Sequence, residues 1–568
     1  MPWRSVAVLL VVVAAAMAGN VQAQAQDAPK PVLVMSINNF DGLVGNLKYL
    51  GTVLEDAQYL SKLAKMTTHL TKGDTVDLEK AAGIDGTKPV GMAIYTDGQS
   101  IKQLSFIGVS DADALLAWLK PLVGEPKKNE AGIYEIASPR LTAFAKVDNG
   151  WMFWALSPEQ LSELPDPAAA LGDLPGKYDF AARVIFSNVP EDVRSLVIGQ
   201  LRARLETAAP AGDESEAEAA FRRETTTFFG RTFDRFANES EHITFGANFA
   251  EDTTQIKAQA IIKPVPDSSI AKHFAELGPQ TTRFGGVFTN SSDKPILSVG
   301  MTGKLAPETV GDLKSEIEAY RAAALALIDG AADVSDADRQ VFKDLGSAIV
   351  DSMQASVAAG RLDLAVKIAP GSPSTLFGAM HIAGGNSVVA QLDKLAAATK
   401  DDPNSGFKAD EAVHKDVRIH SFVAPNDPEF TALLKSFGKG KLYLAVNDTT
   451  LYFGTGPKGI DLIKQAIDAP EQADSPPLRV SGRGAALFRM LPPPPGGGNA
   501  QLLTSVIALQ LQVGEGFVVT GQTPDGNLVL DMTFDKGFLR LGGFMIPTVG
   551  NLLLPSIDLN NLGGTFGF

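Results

Sequence analysis

The feature that most constrains this chain is a recurring succession of elements: a short strand, one or two helices, then a hairpin. Lys30-Pro31-Val32-Leu33-Val34 matches Lys294-Pro295-Ile296-Leu297-Ser298, and each opens such a unit. In the first, helices are predicted near Asp41–Leu54 and Asp56–Leu70, and the hairpin VGMAIYTDGQSIKQLSFIGV turns at Asp97-Gly98. In the later unit, Leu313, Ile317, Tyr320, Ala324 and Leu327 mark one helical face, and Phe342, Leu345, Ile349 and Met353 mark the next. A second kind of unit follows each. SDADALLAWLKPLV is predicted as a helix capped by Ser110 with Asp113 at its third position. Strands IYEIA and LTAFAKVDNGWMFWAL follow, turning at Asp148-Asn149-Gly150. Its counterpart is NSVVAQLDKLAAA, DVRIHSFV, KLYLAVNDTTLYFG and GIDLIKQAI. The strand–helix–hairpin theme recurs near Phe180–Ile262 and Leu478–Phe534.

Hairpin-linked strands make antiparallel sheet, and the apolar stripes of intervening helices must lie on it. The expected fold class is therefore α+β: two duplicated halves, 31–290 and 291–547, of antiparallel sheet with amphipathic helices packed on one face. Whether the halves form two sheets or one elongated molecule stays open at this stage.

The first residues, MPWRSVAVLLVVVAAAMAGNVQAQAQ, have Arg4 before an apolar run and small residues at Val21-Gln22-Ala23. That is the layout of a signal peptide over residues 1–25, and the run is too short for a spanning helix, which needs about 20 apolar residues. The expected location is periplasmic or extracellular, with no transmembrane segment after cleavage. An apolar tail, 548–568, closes the chain. Cysteine is absent, which removes disulfides, thiolate nucleophiles and Cys-based metal sites. The formal charge of −15 and the lack of a basic block argue against nucleic acid as a partner.

Motifs for chemistry are sparse. Gly454-Thr455-Gly456-Pro457-Lys458-Gly459 fits G-x-G-x-x-G, but it follows the second arm of a hairpin and lacks a downstream acid for ribose. It reads as a glycine-eased turn from strand to helix. His414, Asp416, Arg418 and His420, taken as one strand, share a face, but imidazoles six residues apart stand about 20 Å apart and cannot reach one ion. The conspicuous acids, Asp97, Asp148, Asp448 and Asp525, sit in turns, and no G-x-S-x-G elbow occurs. No catalytic, cofactor-binding or metal-ligating residue is nominated. The densest aromatic point is Trp151-Met152-Phe153-Trp154. Core packing is the simpler account, and a ligand surface, if present, is expected at Trp151, Phe153 and Trp154.

KPVLVMSINNF, GIDGTKPVGMAIY, SDADALLAWL and FAKVDNGWMFWALSPEQL together resemble a broad group of uncharacterised secreted bacterial proteins sharing a domain of unknown function. The resemblance covers most of residues 31–470 and implies export and a repeated α+β build. It implies no activity. The leading expectation is a non-enzymatic exported scaffold or binding protein with an unknown envelope or extracellular partner. The alternatives are a carrier of a lipid or other hydrophobic ligand and a hydrolase without a recognisable motif.

Overall fold

The structure is a computed structural model that describes residues 30–61, 78–98, 100–137, 142–206, 216–285, 294–330, 336–400, 406–423, 435–438, 440–490, 511 and 514–541. Residues 1–25, expected to be a signal peptide, the proline–glycine run Pro492–Asn499 and the tail 548–568 lie outside the described residues.

Up to residue 285 the strands are β1 (Pro31–Ile37), β2 (Val90–Thr96), β3 (Ile101–Gly108), β4 (Lys127–Lys128), β5 (Ile133–Ala137), β6 (Thr142–Asp148), β7 (Trp151–Ala155), β8 (Phe180–Val184), β9 (Ser240–Ala250), β10 (Gln255–Pro264) and β11 (Gln280–Thr282). Beyond it come β12 (Leu297–Lys304), β13 (Arg361–Ala369), β14 (Thr375–His381), β15 (Phe407–His414), β16 (Val417–Val423), β17 (Lys441–Asn447), β18 (Thr450–Thr455), β19 (Gln472–Ser475), β20 (Leu478–Arg483), β21 (Gly516–Gln522) and β22 (Leu528–Phe534). The α-helices are α1 (Phe40–Val53), α2 (Ala112–Val123), α3 (Pro167–Leu171), α4 (Leu174–Lys177), α5 (Glu191–Glu206), α6 (Glu216–Glu239), α7 (Ser269–Glu276), α8 (Pro307–Gly330), α9 (Asp336–Ala358), α10 (Gly385–Ala398), α11 (Gly459–Asp468) and α12 (Gly484–Met490).

Among the described residues, twenty strands pair into one antiparallel sheet, and β11 with β19 forms a separate two-stranded flap. From edge to edge the ladders run β4-β5-β6-β7-β3-β2-β1-β8-β9-β10-β22-β21-β20-β12-β13-β14-β18-β17-β16-β15. At roughly 4.8 Å per neighbour, the sheet extends about 90 Å along its surface. It has no break at residue 290: the ladder joining β10 to β22 runs from Ile256↔Phe534 to Ile262↔Leu528.

One row of laterally paired residues shows how the sheet is covered. It runs Phe153, Phe106, Gly91, Ser36, Ala181, Gly246, Gln259, Asp531, Thr520, Arg479, Gly300, Ala365, Ala379 and Tyr452. Both ends are apolar and buried. Phe106 and Phe153 pack under Leu161, Leu171 of α3 and Leu174 of α4. Tyr452, Ala365 and Ala379 pack under Leu462, Ile463 and Ala466 of α11. The middle is polar, with Gln259, Asp531 and Thr520 half-buried and Arg479 exposed.

Helices cover the opposite face as well. There Met152 and Ile107 meet Leu115 and Leu116 of α2. Val184 and Ile94 lie near Ala237 of α6, and Leu451 near Leu345 of α9 and Leu392 of α10. The expectation of helices on one face is thus corrected. Strands such as β7 (WMFWA) are apolar at successive positions, so both their faces need cover.

Two further expectations change. Helix α2 is capped by Asp111, whose carboxylate accepts from Asp113 N and Ala114 N, both at 3.0 Å. Ser110 is committed elsewhere: its hydroxyl donates to Ile84 O and its amide to Gly83 O. Phe284, 1% exposed, is buried among Ala365, Phe377 and Tyr452. Finally, His414 to His420 is not one strand. Lys415 and Asp416, at φ 48° and 64°, form a two-residue hairpin turn between β15 and β16.

Candidate functional site

The three aromatic candidates separate. Phe153 is 2% exposed and lies 5.9 Å from the Phe106 ring. Trp151 is half-buried on the same face, edge-on to Phe106 at 6.0 Å, with Lys88 Nζ 5.3 Å from its ring centroid. Lys88 Nζ also donates to Gly150 O at 3.1 Å, so the tryptophan, the lysine and the turn brace one another. Trp154 packs on the opposite face with α2. The structure does not bring the three onto one surface.

The histidine cluster separates too. His414 contacts Asp468 of α11 at 2.9 Å. On the other face, His420 is 2% exposed and stacks on Phe407, while Arg418 pairs with Asp393 of α10. The glycines of G-T-G-P-K-G are accounted for by close packing. Gly456 has φ 99°, and a Cβ there would meet Ser374 O at 2.4 Å; a Cβ on Gly459 would meet the Tyr443 ring at 2.7 Å. Among the described residues, no group of three His, Asp or Glu side chains stands in an arrangement that could hold a metal ion. No described helix is long and apolar enough to cross a membrane, which says nothing about a β-barrel.

The most developed polar constellation lies where the β11–β19 flap sits on β12, β13 and β20. Asp363 of β13 has a fully buried side chain. It accepts from Thr282 Oγ1 at 2.6 Å and from Arg283 N at 3.2 Å, and Arg361 Nη2 stands 3.6 Å away. Arg283 in turn donates to Thr449 Oγ1 at 2.8 Å and pairs with Glu471 at 3.1 Å. Burial pushes the Asp363 carboxyl above its ordinary range, against the opposing pull of Thr282, Arg283 N and Arg361. His381, at the end of the adjacent strand β14, is pushed down by burial and by Arg361 and Arg283. These groups are a carboxyl that resists ionisation and a neutral imidazole. Because Asp363 is enclosed, what it does chemically is staple the flap to the sheet through two hydrogen bonds.

In front of this staple lies a small open pocket of about 30 Å³. Its walls are Thr282, Gly285, Gly300, Met301, Thr302, Gln472, Ser475, Pro476 and Arg479. The pocket sits beside the polar centre of the sheet. There Tyr178 OH donates to Gln259 Oε1 at 2.6 Å, and Asp531 accepts from Gln259 at 2.8 Å and from Gln522 at 2.6 Å.

Sequence reasoning singled out none of Asp363, Arg283 or Arg479, because the hydrogen bonds from Thr282 and Arg283 to Asp363 span 80 or more residues and Arg479 meets its neighbour Gly300 only across a strand ladder. One signal was present. In LDLAVKIA, Asp363 and Lys367 alternate with Ala365 and Ala369, so two charged residues occupy the stripe that should be core, and both are buried.

No family model, curated protein or solved structure matches this chain.

Proposed function

We propose that the chain is an exported, non-enzymatic scaffold or binding protein built from two related halves. The observation that carries this reading is the strand order. Inward from β4 it runs β5-β6-β7-β3-β2-β1-β8-β9-β10, and inward from β15 it runs β16-β17-β18-β14-β13-β12-β20-β21-β22. In each, the first three strands, the next four and the last three occupy the same relative places.

Residue register supports the same reading. Matching Lys30-Pro31 to Lys294-Pro295 places Ser36 on Gly300. In the lateral row, Ser36 is three strands from Gln259, and Gly300 is three strands from Asp531. Phe153, four residues after Asn149 in its turn, then corresponds to Tyr452, four after Asp448. The approximate two-fold axis falls between Gln259 and Asp531, at the middle of the ladder joining the halves. By the same register Ala155, Ser157 and Gln160 correspond to the three glycines of the 454–459 turn.

A sheet about 90 Å in contour, filled by aromatics toward its ends and polar at its centre, favours a role in holding partners over enclosing a substrate. The pocket walls carry hydroxyls, an amide and a guanidinium, which favours a polar ligand over a lipid tail. The test is to immobilise the protein and challenge it with envelope and culture-medium fractions, alongside solution scattering. Selective, saturable retention on an elongated particle supports the reading. A compact particle that retains nothing, or turnover of a substrate panel, overturns it.

A further inference from the structure

We propose that the pocket under the β11–β19 flap is a binding site for a small oxyanion group, a carboxylate or a phosphate, with Arg479 as its anchor. Three observations carry this. First, Arg479 lies on β20 opposite Gly300 of β12, so the neighbouring position has no side chain, and both residues line the pocket. Among the described residues Arg479 has no hydrogen-bond or ion-pair partner, whereas Arg283 beside it is paired with Glu471 and Arg361 stands near Asp363. A guanidinium presents a planar fork of donors that fits a two-oxygen anion. Second, Thr302 and Gln472 add a hydroxyl and an amide donor to the same walls, beside Ser475, whose hydroxyl donates to Gln472 O at 3.4 Å. The nearest buried acid, Asp363, is engaged by Thr282 and Arg283 N and leaves the arginine to a ligand.

Third, the corresponding place in the first half is filled with apolar groups; this comparison rests on the two-half reading above. Ala181, fully buried, stands where Arg479 stands. Tyr178 stands where Pro476 does, covering Gly246 so closely that a Cβ there would come within 2.2 Å of its ring. Counting back equally from Ala181 and Arg479, Leu174 of α4, fully buried, matches Gln472 of β19. One site is therefore filled by side chains, while its counterpart is a small open pocket with polar groups on its walls. Core packing would favour the plug at both sites, so the hollow one has a use that the plug would abolish.

The experiment is titration calorimetry of the full chain with inorganic phosphate and with acetate, at ionic strength held constant with chloride. Saturable binding of either anion is expected. R479Q is expected to weaken it about tenfold or more, as loss of a charge-assisted pair implies, and R479K to fall between. K257Q removes an exposed positive charge from the same sheet face and is expected to leave binding unchanged, which separates a site from a general field. Circular dichroism confirms that the variants fold. Preference for acetate identifies a carboxylate ligand, and preference for phosphate a phosphorylated one. The inference is overturned if neither anion saturates, or if R479Q and K257Q behave alike. Retention of envelope fractions by R479Q reports separately on the scaffold reading, which can stand or fall without this site.

Discussion

Replacing Phe153 with alanine separates a core role from a ligand-surface role at the most aromatic point of the sequence. The side chain is 2% exposed and packs with Phe106, Leu104, Leu161, Leu171 and Leu174, which leave no simple route for collapse around a void. Truncating a phenylalanine in such a place costs about 3–5 kcal/mol, the transfer of the ring plus the cavity left behind. The tilted ring contact with Phe106 adds about 1 kcal/mol of that, so a double cycle with F106A should show coupling of about this size. Trp151 is only half-buried and keeps its lysine in solvent contact, so W151A should cost less, about 2 kcal/mol. Urea unfolding followed by tryptophan fluorescence and circular dichroism gives the midpoints and slopes. If F153A unfolds within 1 kcal/mol of the parent, on the order of the smallest core effects, with an unchanged slope, the side chain is not part of a packed core. The account of Phe153 and Phe106 as the centre of a packed cluster is then wrong.

Other outcomes follow from the same structure. Burial holds the His420, His381 and His242 imidazoles below their ordinary value of 6.5, so each is uncharged in the fold. Their stabilising contribution is complete above about pH 6.5 and is lost as pH falls through the lower folded-state values, and H420Q should flatten the fall in unfolding midpoint on acidification. Asp363 acts oppositely at lower pH: its folded value is raised above 3.8, so stability rises as pH drops through that raised value, an effect D363N should abolish in the same titration. D531A leaves Gln259 and Gln522 without an acceptor at the joining ladder and should cost about 1–2 kcal/mol by chemical denaturation. G456A forces a side chain into φ 99° against Ser374 O and should cost about 1–3 kcal/mol, while a fluorescent nucleotide should bind neither form.

Much of the local architecture was legible in the sequence because it depends on neighbours. Strand alternation and turn residues placed the hairpin β2–β3 around Asp97-Gly98 and the hairpin β6–β7 around Asn149-Gly150. Helical spacing from Leu313 to Leu327 and from Phe342 to Met353 marked α8 and α9. Errors came where a local pattern had two solutions. Ser110 and Asp111 both suit an N-cap, and only the position of Ile84 and Gly83 decides between them. Val413 to Ile419 alternates well enough for one strand, yet the chain turns at Lys415-Asp416 so that His420 can bury against Phe407.

The amino-acid order by itself determined most of the strands, helices and hairpin turns, because those properties depend on side chains a few residues apart. Only the tertiary structure decided that all twenty strands join into one sheet. The ladder between β10 and β22 is made by backbone N–H and C=O groups that every non-proline residue carries, so nothing in the side-chain pattern announces it. The same holds for the flap and its pocket. Thr282, Asp363 and Arg479 become neighbours through strand register across three ladders, and register is set when the cores close over both faces.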